Sequence, residues 1–161
     1  MNSNKQRKRV DIVTIRLSNM ELIKEGSFLY ESGEQRRLIT SPRNAFDLVK
    51  DMFIGLDREI VVAAYLNTKN EPIAVSQISV GSLNSSIVHP REVMKAAILS
   101  NAASFIVCHN HPSGNPAPSK EDIDITNRLK EVGEIVGIRL MDHIIIGSHD
   151  KYRSLKEDLI I

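Results

Sequence analysis

The stretch "SFIVCHNHPSGNPAPSKEDID", Ser104 to Asp124, passes from an apolar run through a proline- and glycine-rich bend into a polar cluster. "SFIVCH" predicts a short central strand. Alternation along it sends His109 and His111 to one side and Cys108 and Asn110 to the other. Imidazoles at i and i+2 on one face stand about 6–7 Å apart at the backbone. Both can lean onto one cation at metal–nitrogen distances of about 2.0–2.1 Å. An H-x-H pair alone is a weak signal, and a structural explanation competes with it. Pro112, Gly114, Pro116 and Pro118 add a pre-organised bend that limits the entropy lost on turning back. Ser119 is a good N-cap and Asp122 stands at the capping-box position, so "PSKED" is explained as a helix start. The same arrangement places the Asp122 carboxylate in the first turn, within reach of the histidine strand. Two neutral imidazoles and a carboxylate are three of four tetrahedral ligands. An open fourth position marks a catalytic rather than a structural zinc site.

Working outward, "IRLMDHIIIG" predicts a strand after a helix from Ser119 to about Ile135, whose stripe is Ile125, Leu129, Val132 and Val136, with Gly137 at its end. Upstream, "HPREVMKAAILSNA" is helical, with Val93, Ala96, Ala97 and Leu99 or Ser100 on its packed face. "EIVVAAYLN" and "IAVSQISVGS" flank the turn "TKNEP" as an antiparallel hairpin, the first strand apolar enough to be covered on both faces. "TSPRNAFDLVKDMF" is a helix with Pro42 in its first turn and Ala45, Leu48, Val49, Met52 and Phe53 at helical spacing. "VDIVTIRL", Val10 to Leu17, alternates as a half-buried strand, whereas "KEGSFLYESGEQRR" reads as loop with at most a short strand. "KYRSLKEDLII" gives an edge segment or short helix. Strands mixed with helices predict a single three-layer α/β domain, a mixed sheet covered by helices on both faces. The expected division is a disordered basic tail over 1–9, a strand-plus-loop extension over 10–39, and the main domain over 40–161.

At 161 residues the chain is the size of one domain with one buried core. A formal net charge of +1 argues against a general polyanion binder, and the cluster "KQRKR", Lys5 to Arg9, reads as a solvated tail. One cysteine, Cys108, allows neither an internal disulfide nor a cysteine zinc knuckle, and the strand places it as a buried, inert thiol. The N-terminus lacks an apolar signal region and no apolar run approaches the ~20 residues of a membrane helix. A soluble, cytoplasmic protein is expected, with no membrane partner.

The pattern H-x-H-P, six residues, then S-x-x-D, present as His109, His111, Pro112, Ser119 and Asp122, resembles the JAMM (MPN-plus) metalloprotease motif. The longer string "HNHPSGNPAPSKEDIDITNRLKEVGEIVGIRLMDHIIIG", with "HPREVMKAAI" before it, is similar to the RadC-like branch of that superfamily over roughly Thr40 to Ile161. Peptidase branches usually carry Ser or Thr between the histidines, where this chain has Asn110. The resemblance implies JAB/MPN (cytidine-deaminase-like) architecture and one zinc ion per chain on His109, His111 and Asp122. It also implies a glutamate from an earlier strand that takes a proton from the attacking water. Glu59, between a helix and the "IVVAAYL" strand, matches that context. Glu92 in a first helical turn and Glu71 in a turn are the alternatives. Ser119 then serves as both helix cap and oxyanion donor.

The function so implied is hydrolysis of peptide or isopeptide amide bonds in an unnamed protein or peptide substrate. A nucleic-acid-associated accessory protein that keeps the metal without proteolysis is the competing function. It rests on the basic tail and on the DNA-repair label attached to RadC-like proteins. Three Tyr, four Phe and no Trp offer it little stacking surface. A metal-bearing scaffold without turnover is a third. The remaining histidines are expected to be structural: His89 capping or bordering its helix, His143 satisfied in the core, His149 on a surface loop, with no supported role beside the metal for Asp142 or His143.

Overall fold

The computed structural model describes residues 7–16 and 21–31 as backbone, and 38–81, 88–148 and 150–161 in full. Among the described residues, seven strands form one mixed sheet in the order β2-β1-β4-β3-β5-β6-β7. They are β1 (Arg7–Arg16), β2 (Glu21–Glu31), β3 (Ile60–Leu66), β4 (Pro72–Val80), β5 (Ser104–Asn110), β6 (Arg139–Ile146) and β7 (Tyr152–Ser154). Helices α1 (Pro42–Val49), α2 (Pro90–Leu99) and α3 (Lys120–Val136) complete the domain, α1 running on into a single 3-10 turn.

The central strands β3 and β5 are buried at every residue, which is why their sequences are almost wholly apolar. Alternation divides them between two cores. Ile60, Val62, Ala64, Ile106 and Cys108 pack with Ala45, Phe46, Leu48 and Val49 of α1. Val61, Ala63, Tyr65, Phe105 and Val107 pack with Val93, Ala96 and Ala97 of α2 and Ile125 and Leu129 of α3. The expected three layers are present, and the hairpin of β3 and β4 is antiparallel as read. Full burial of each large aliphatic or aromatic side chain contributes about 1.5–3 kcal/mol, so both cores stabilise the sheet.

Helix starts match their sequence signals. Pro42 opens α1 behind Ser41, whose side chain accepts from the Asn44 N–H. Ser119 caps α3 in a complete capping box with Asp122, and Gly137 ends it in the left-handed region at φ 80°. The α3 stripe differs at its end: Gly133 is buried whereas Val136 is 42% exposed. The helix lies so close to the sheet that a Cβ at Gly133 would fall 2.6 Å from the Ile138 carbonyl oxygen, which leaves Val136 beyond the contact. On α2 the buried face is Val93, Met94, Ala96 and Ala97, with Leu99 turned out at the last turn.

β2 is a full strand where mostly loop was expected. Its Gly and polar residues are taken up by a register shift: Ile12 pairs with Gly26 and Val13 with Lys24, leaving Glu25 as the extra residue of a bulge. Arg7 to Arg9 open β1, inside the expected tail, while Lys5 lies outside the described residues, as does His149. The C-terminal segment supplies the short edge strand β7, antiparallel to β6. Among the described residues no helix is long and apolar enough to cross a membrane.

Candidate metal centre

His109 leaves the end of β5 on the α3 side of the sheet and is completely buried. Its Nδ1 lies 2.8 Å from Nε2 of His143 on β6, and the His143 Nδ1 lies 2.6 Å from Thr126 Oγ1 on α3. The Thr126 hydroxyl makes a short hydrogen bond to the Asp122 carbonyl oxygen. A carbonyl only accepts, so the hydroxyl proton goes there and Thr126 Oγ1 accepts from the His143 Nδ1–H. Burial, then the neighbouring His109, hold the His143 pKa well below its ordinary value, so its ring stays neutral. A neutral His143 protonated at Nδ1 presents a bare Nε2, which accepts from the His109 Nδ1–H. The His109 Nε2 is thereby left as a lone pair.

The bend fixes His111 the same way. The His111 N–H donates to the Ile146 carbonyl, and the Gly114 N–H closes a tight turn onto the His111 carbonyl, both at 2.9 Å. Gly114 takes φ 77°, and a Cβ at Gly147 would come 2.5 Å from the Gly114 oxygen, so glycine is required on both sides of this contact. So held, the His111 Nδ1–H donates to the Asn115 carbonyl at 2.8 Å. Its Nε2 is then also a lone pair.

These lone pairs meet a carboxylate. The two Nε2 atoms are 3.0 Å apart, Asp122 Oδ1 lies 3.2 Å from the first, and Asp122 Oδ2 lies 3.4 Å from the second. Asp122 is fully buried, and among the described residues its Oδ1 has no hydrogen-bond partner. One ligand atom from each of the three residues falls within 4.8 Å of the others. Three acceptors aimed at one buried point repel one another unless something positive sits between them. A proton partly answers: hydrogen bonding to Asp122 raises the His111 pKa, against burial that lowers it. Burial would raise the Asp122 pKa, but the adjacent His109 and His111 rings override it and hold the carboxyl well below its usual range. A divalent cation would answer all three at once, and two imidazole nitrogens with a carboxylate oxygen are a donor set that could hold one.

A family model described as RadC-like JAB domain matches residues 39–160. The chain belongs to that family. It is 52% identical over 132 residues to a UPF0758 protein of Clostridium tetani, covering 82% of this chain and 57% of the relative. It is also 52% identical over 141 residues to a UPF0758 protein of Geobacillus sp. strain WCH70, covering 88% of this chain and 61% of the relative. The chain spans little more than half the length of these curated relatives.

In this RadC-like JAB domain the three candidate bases separate clearly. Glu59 directly precedes β3, which runs antiparallel to β5 with Val61 opposite His109. That register ends at this pair, and two residues before Val61 the Glu59 Oε1 lies 4.0 Å from the His111 Nε2. Glu92 is instead paired with Lys95 at 2.5 Å, and this hydrogen bond leads its lowered pKa. Glu71 accepts from the Asn67 side chain in the turn at the other end of β3. Ser119 is at the site, but its hydroxyl donates to Asp122 Oδ2 at 2.7 Å, so here it orients the Asp122 carboxylate.

Cys108 lies in the opposite core, and burial, then Asp142, push its thiol pKa far up, as expected for an inert side chain. His89 is exposed at the start of α2 and its side chain caps nothing. His143 and Thr126 are the residues sequence reasoning missed. His143 is a satisfied core histidine, as expected, but its partner is His109. The only signal was Thr126, four residues after Asp122 and hence on the same helix face.

Proposed function

We propose that the protein is a metal-dependent hydrolase of peptide or isopeptide amide bonds, with one zinc ion per chain held by His109, His111 and Asp122. The observation that carries this is the convergence of two imidazole nitrogens and the Asp122 carboxylate, one of whose oxygens is buried, on one point beside the Glu59 carboxylate. The family match and the cluster together support a metal-dependent hydrolase-like fold. When bound, the ion supplies Lewis acidity near neutral pH. Glu59 accepts the proton of the attacking water at Oε1 and delivers it to the leaving amine. The Ser119 hydroxyl turns from Asp122 Oδ2 to the developing oxyanion. His143 and Thr126 hold the His109 tautomer throughout. The protein acts in the cytoplasm, where a free Cys108 is the ordinary state.

Elemental analysis of the purified protein and of His109→Ala is the first test. About one equivalent of zinc in the former and little in the latter is expected; less than about half an equivalent in the unmutated protein would overturn the assignment. A fluorescence-quenched peptide library then tests hydrolysis. Glu59→Gln should keep zinc and lose turnover, and full activity in that variant would remove Glu59 as the base.

A further inference from the structure

The proposed base stands outside the regular hydrogen bonding of β3, which begins at Ile60. A glutamate at a strand end needs something else to fix its backbone. Asn110, the last residue of β5 and lodged between the two histidine ligands, provides it. Its Oδ1 accepts from the Ile60 N–H at 2.8 Å, and its Nδ2 donates to the Arg58 carbonyl at 3.1 Å. The carboxamide thus offers one acceptor and one donor, the pair that a neighbouring strand's peptide group would offer, and continues the ladder past its end. Both bonds flank Glu59. A third contact, the Gly81 N–H donating to the Glu59 carbonyl at 2.8 Å, completes the clasp from the β4 side. Asn110 is 6% exposed, so water competes poorly for these bonds.

We infer that Asn110 is a positioning residue that holds Glu59 at the His109–His111–Asp122 cluster by gripping the backbone on either side of it. The inference rests on Glu59 being the base proposed above. It also explains why an amide suits the place between the histidines. Aspartate keeps the acceptor for Ile60 but sets a carboxylate against the Arg58 carbonyl, serine is too short to span both partners, and alanine offers neither bond. The residue reads out of β5 twice over: its neighbours present ligands to one face while its own side chain reaches across to β3. One strand end therefore sets both the metal ligands and the distance of the base from them.

The test uses the full chain with Asn110→Ala and Asn110→Asp. Crystal structures of the chelator-treated proteins need neither metal nor substrate. In Asn110→Ala the Glu59 carboxylate should move from its 4.0 Å approach to His111 by about 1 Å or more, a displacement that costs on the order of 100-fold in rate. His109, His111 and Asp122 should stay in place, and zinc per chain should match the unmutated protein. Turnover of p-nitrophenyl acetate by the zinc-loaded protein should show kcat falling about 100-fold with KM within about twofold. Asn110→Asp should lie in between, and Asn110→Ala should cost nothing further in a Glu59→Gln background. Glu59 staying in place in Asn110→Ala would overturn the inference, as would loss of zinc with Glu59 unmoved, which would make Asn110 a support for the histidines. If the unmutated protein shows no turnover, the hydrolase assignment fails, while the Glu59 position in the two crystal structures still decides the role of Asn110. Should Asn110→Ala not fold, Asn110→Asp carries the same positional comparison with one bond removed.

Discussion

Two buried aspartates serve opposite ends in this domain. Asp142 on β6 is 5% exposed and receives three donors: the His143 N–H and the Lys156 N–H on Oδ1, and the Ser154 hydroxyl on Oδ2. Asp122 on α3 is completely buried and receives the Ser119 N–H and hydroxyl on Oδ2 alone, while Oδ1 lies 3.2 Å from the His109 Nε2 lone pair. Burial pushes both carboxyls upward. It prevails at Asp142, whose pKa is raised, and is overridden at Asp122 by the adjacent rings. A buried carboxylate whose donors all come from its own chain ties backbone together. One that keeps an oxygen without a donor, at a point where other acceptors meet, is built for something the chain does not contain.

The sharpest way to break this contrast is to truncate both. Asp122→Ala should abolish tight zinc binding, an effect of many kcal/mol given apparent zinc affinities of about 10–16 kcal/mol at fully closed sites. Asp142→Ala should leave zinc at one equivalent but destabilise the fold by about 3 kcal/mol, because two N–H groups and a hydroxyl lose their acceptor. Elemental analysis and urea unfolding read the two effects separately. Zinc retained by Asp122→Ala, or lost from a folded Asp142→Ala, would reverse the roles assigned here.

A smaller effect sharpens the same comparison from the histidine side. His143 lies behind His109 rather than among the three converging groups, yet it fixes which His109 nitrogen carries the proton. His143→Ala should lower zinc affinity by about 10–100-fold, the usual cost of removing a partner that orients a metal-bound histidine. Thr126→Val should cost less, since it removes only the acceptor for the His143 Nδ1–H. Competition with a chromophoric chelator measures both, and an unchanged affinity in His143→Ala would show that the relay is structural.

What was legible in the sequence was whatever local spacing dictates. The alternation of β5, the capping box at Ser119 and Asp122, and the prolines of the bend each follow from a few neighbouring residues, and together they yield the ligand set. The match of Glu59 to His111 needed the register of β3 on β5, which spans about fifty residues and has no local signal. The same holds for His143, which reaches His109 only because β6 lies parallel beside β5. Asn110 was set aside as an alternation partner of the histidines because alternation describes where a side chain leaves the strand, not which neighbouring backbone it reaches. The β2 strand was missed because a bulge lets Gly and polar residues sit in a ladder that their propensities disfavour.

The last and smallest effect concerns pH. Without metal, His111 shares its proton with Asp122, and its pKa is raised above 6.5. A raised folded pKa means that this stabilisation is complete below 6.5 and is lost as the pH climbs through the folded value. The Asp122 pKa is lowered, so its contribution is present above its ordinary 3.8 and lost only as the pH falls toward the folded value. The metal-free protein therefore holds both contributions between about pH 4 and 6.5. A zinc ion held as proposed would have to displace the His111 proton. Its affinity should drop about tenfold for each pH unit below the His111 folded pKa and level off above it. Melting temperatures with and without zinc, at fixed free zinc from about pH 5.5 to 8, should diverge as the pH rises, because the metal-free form loses its proton-mediated contact while the zinc form gains affinity. A gap that stays constant across that range would mean that proton and metal do not compete for one point, and the distinction drawn between Asp122 and Asp142 would lose its physical basis.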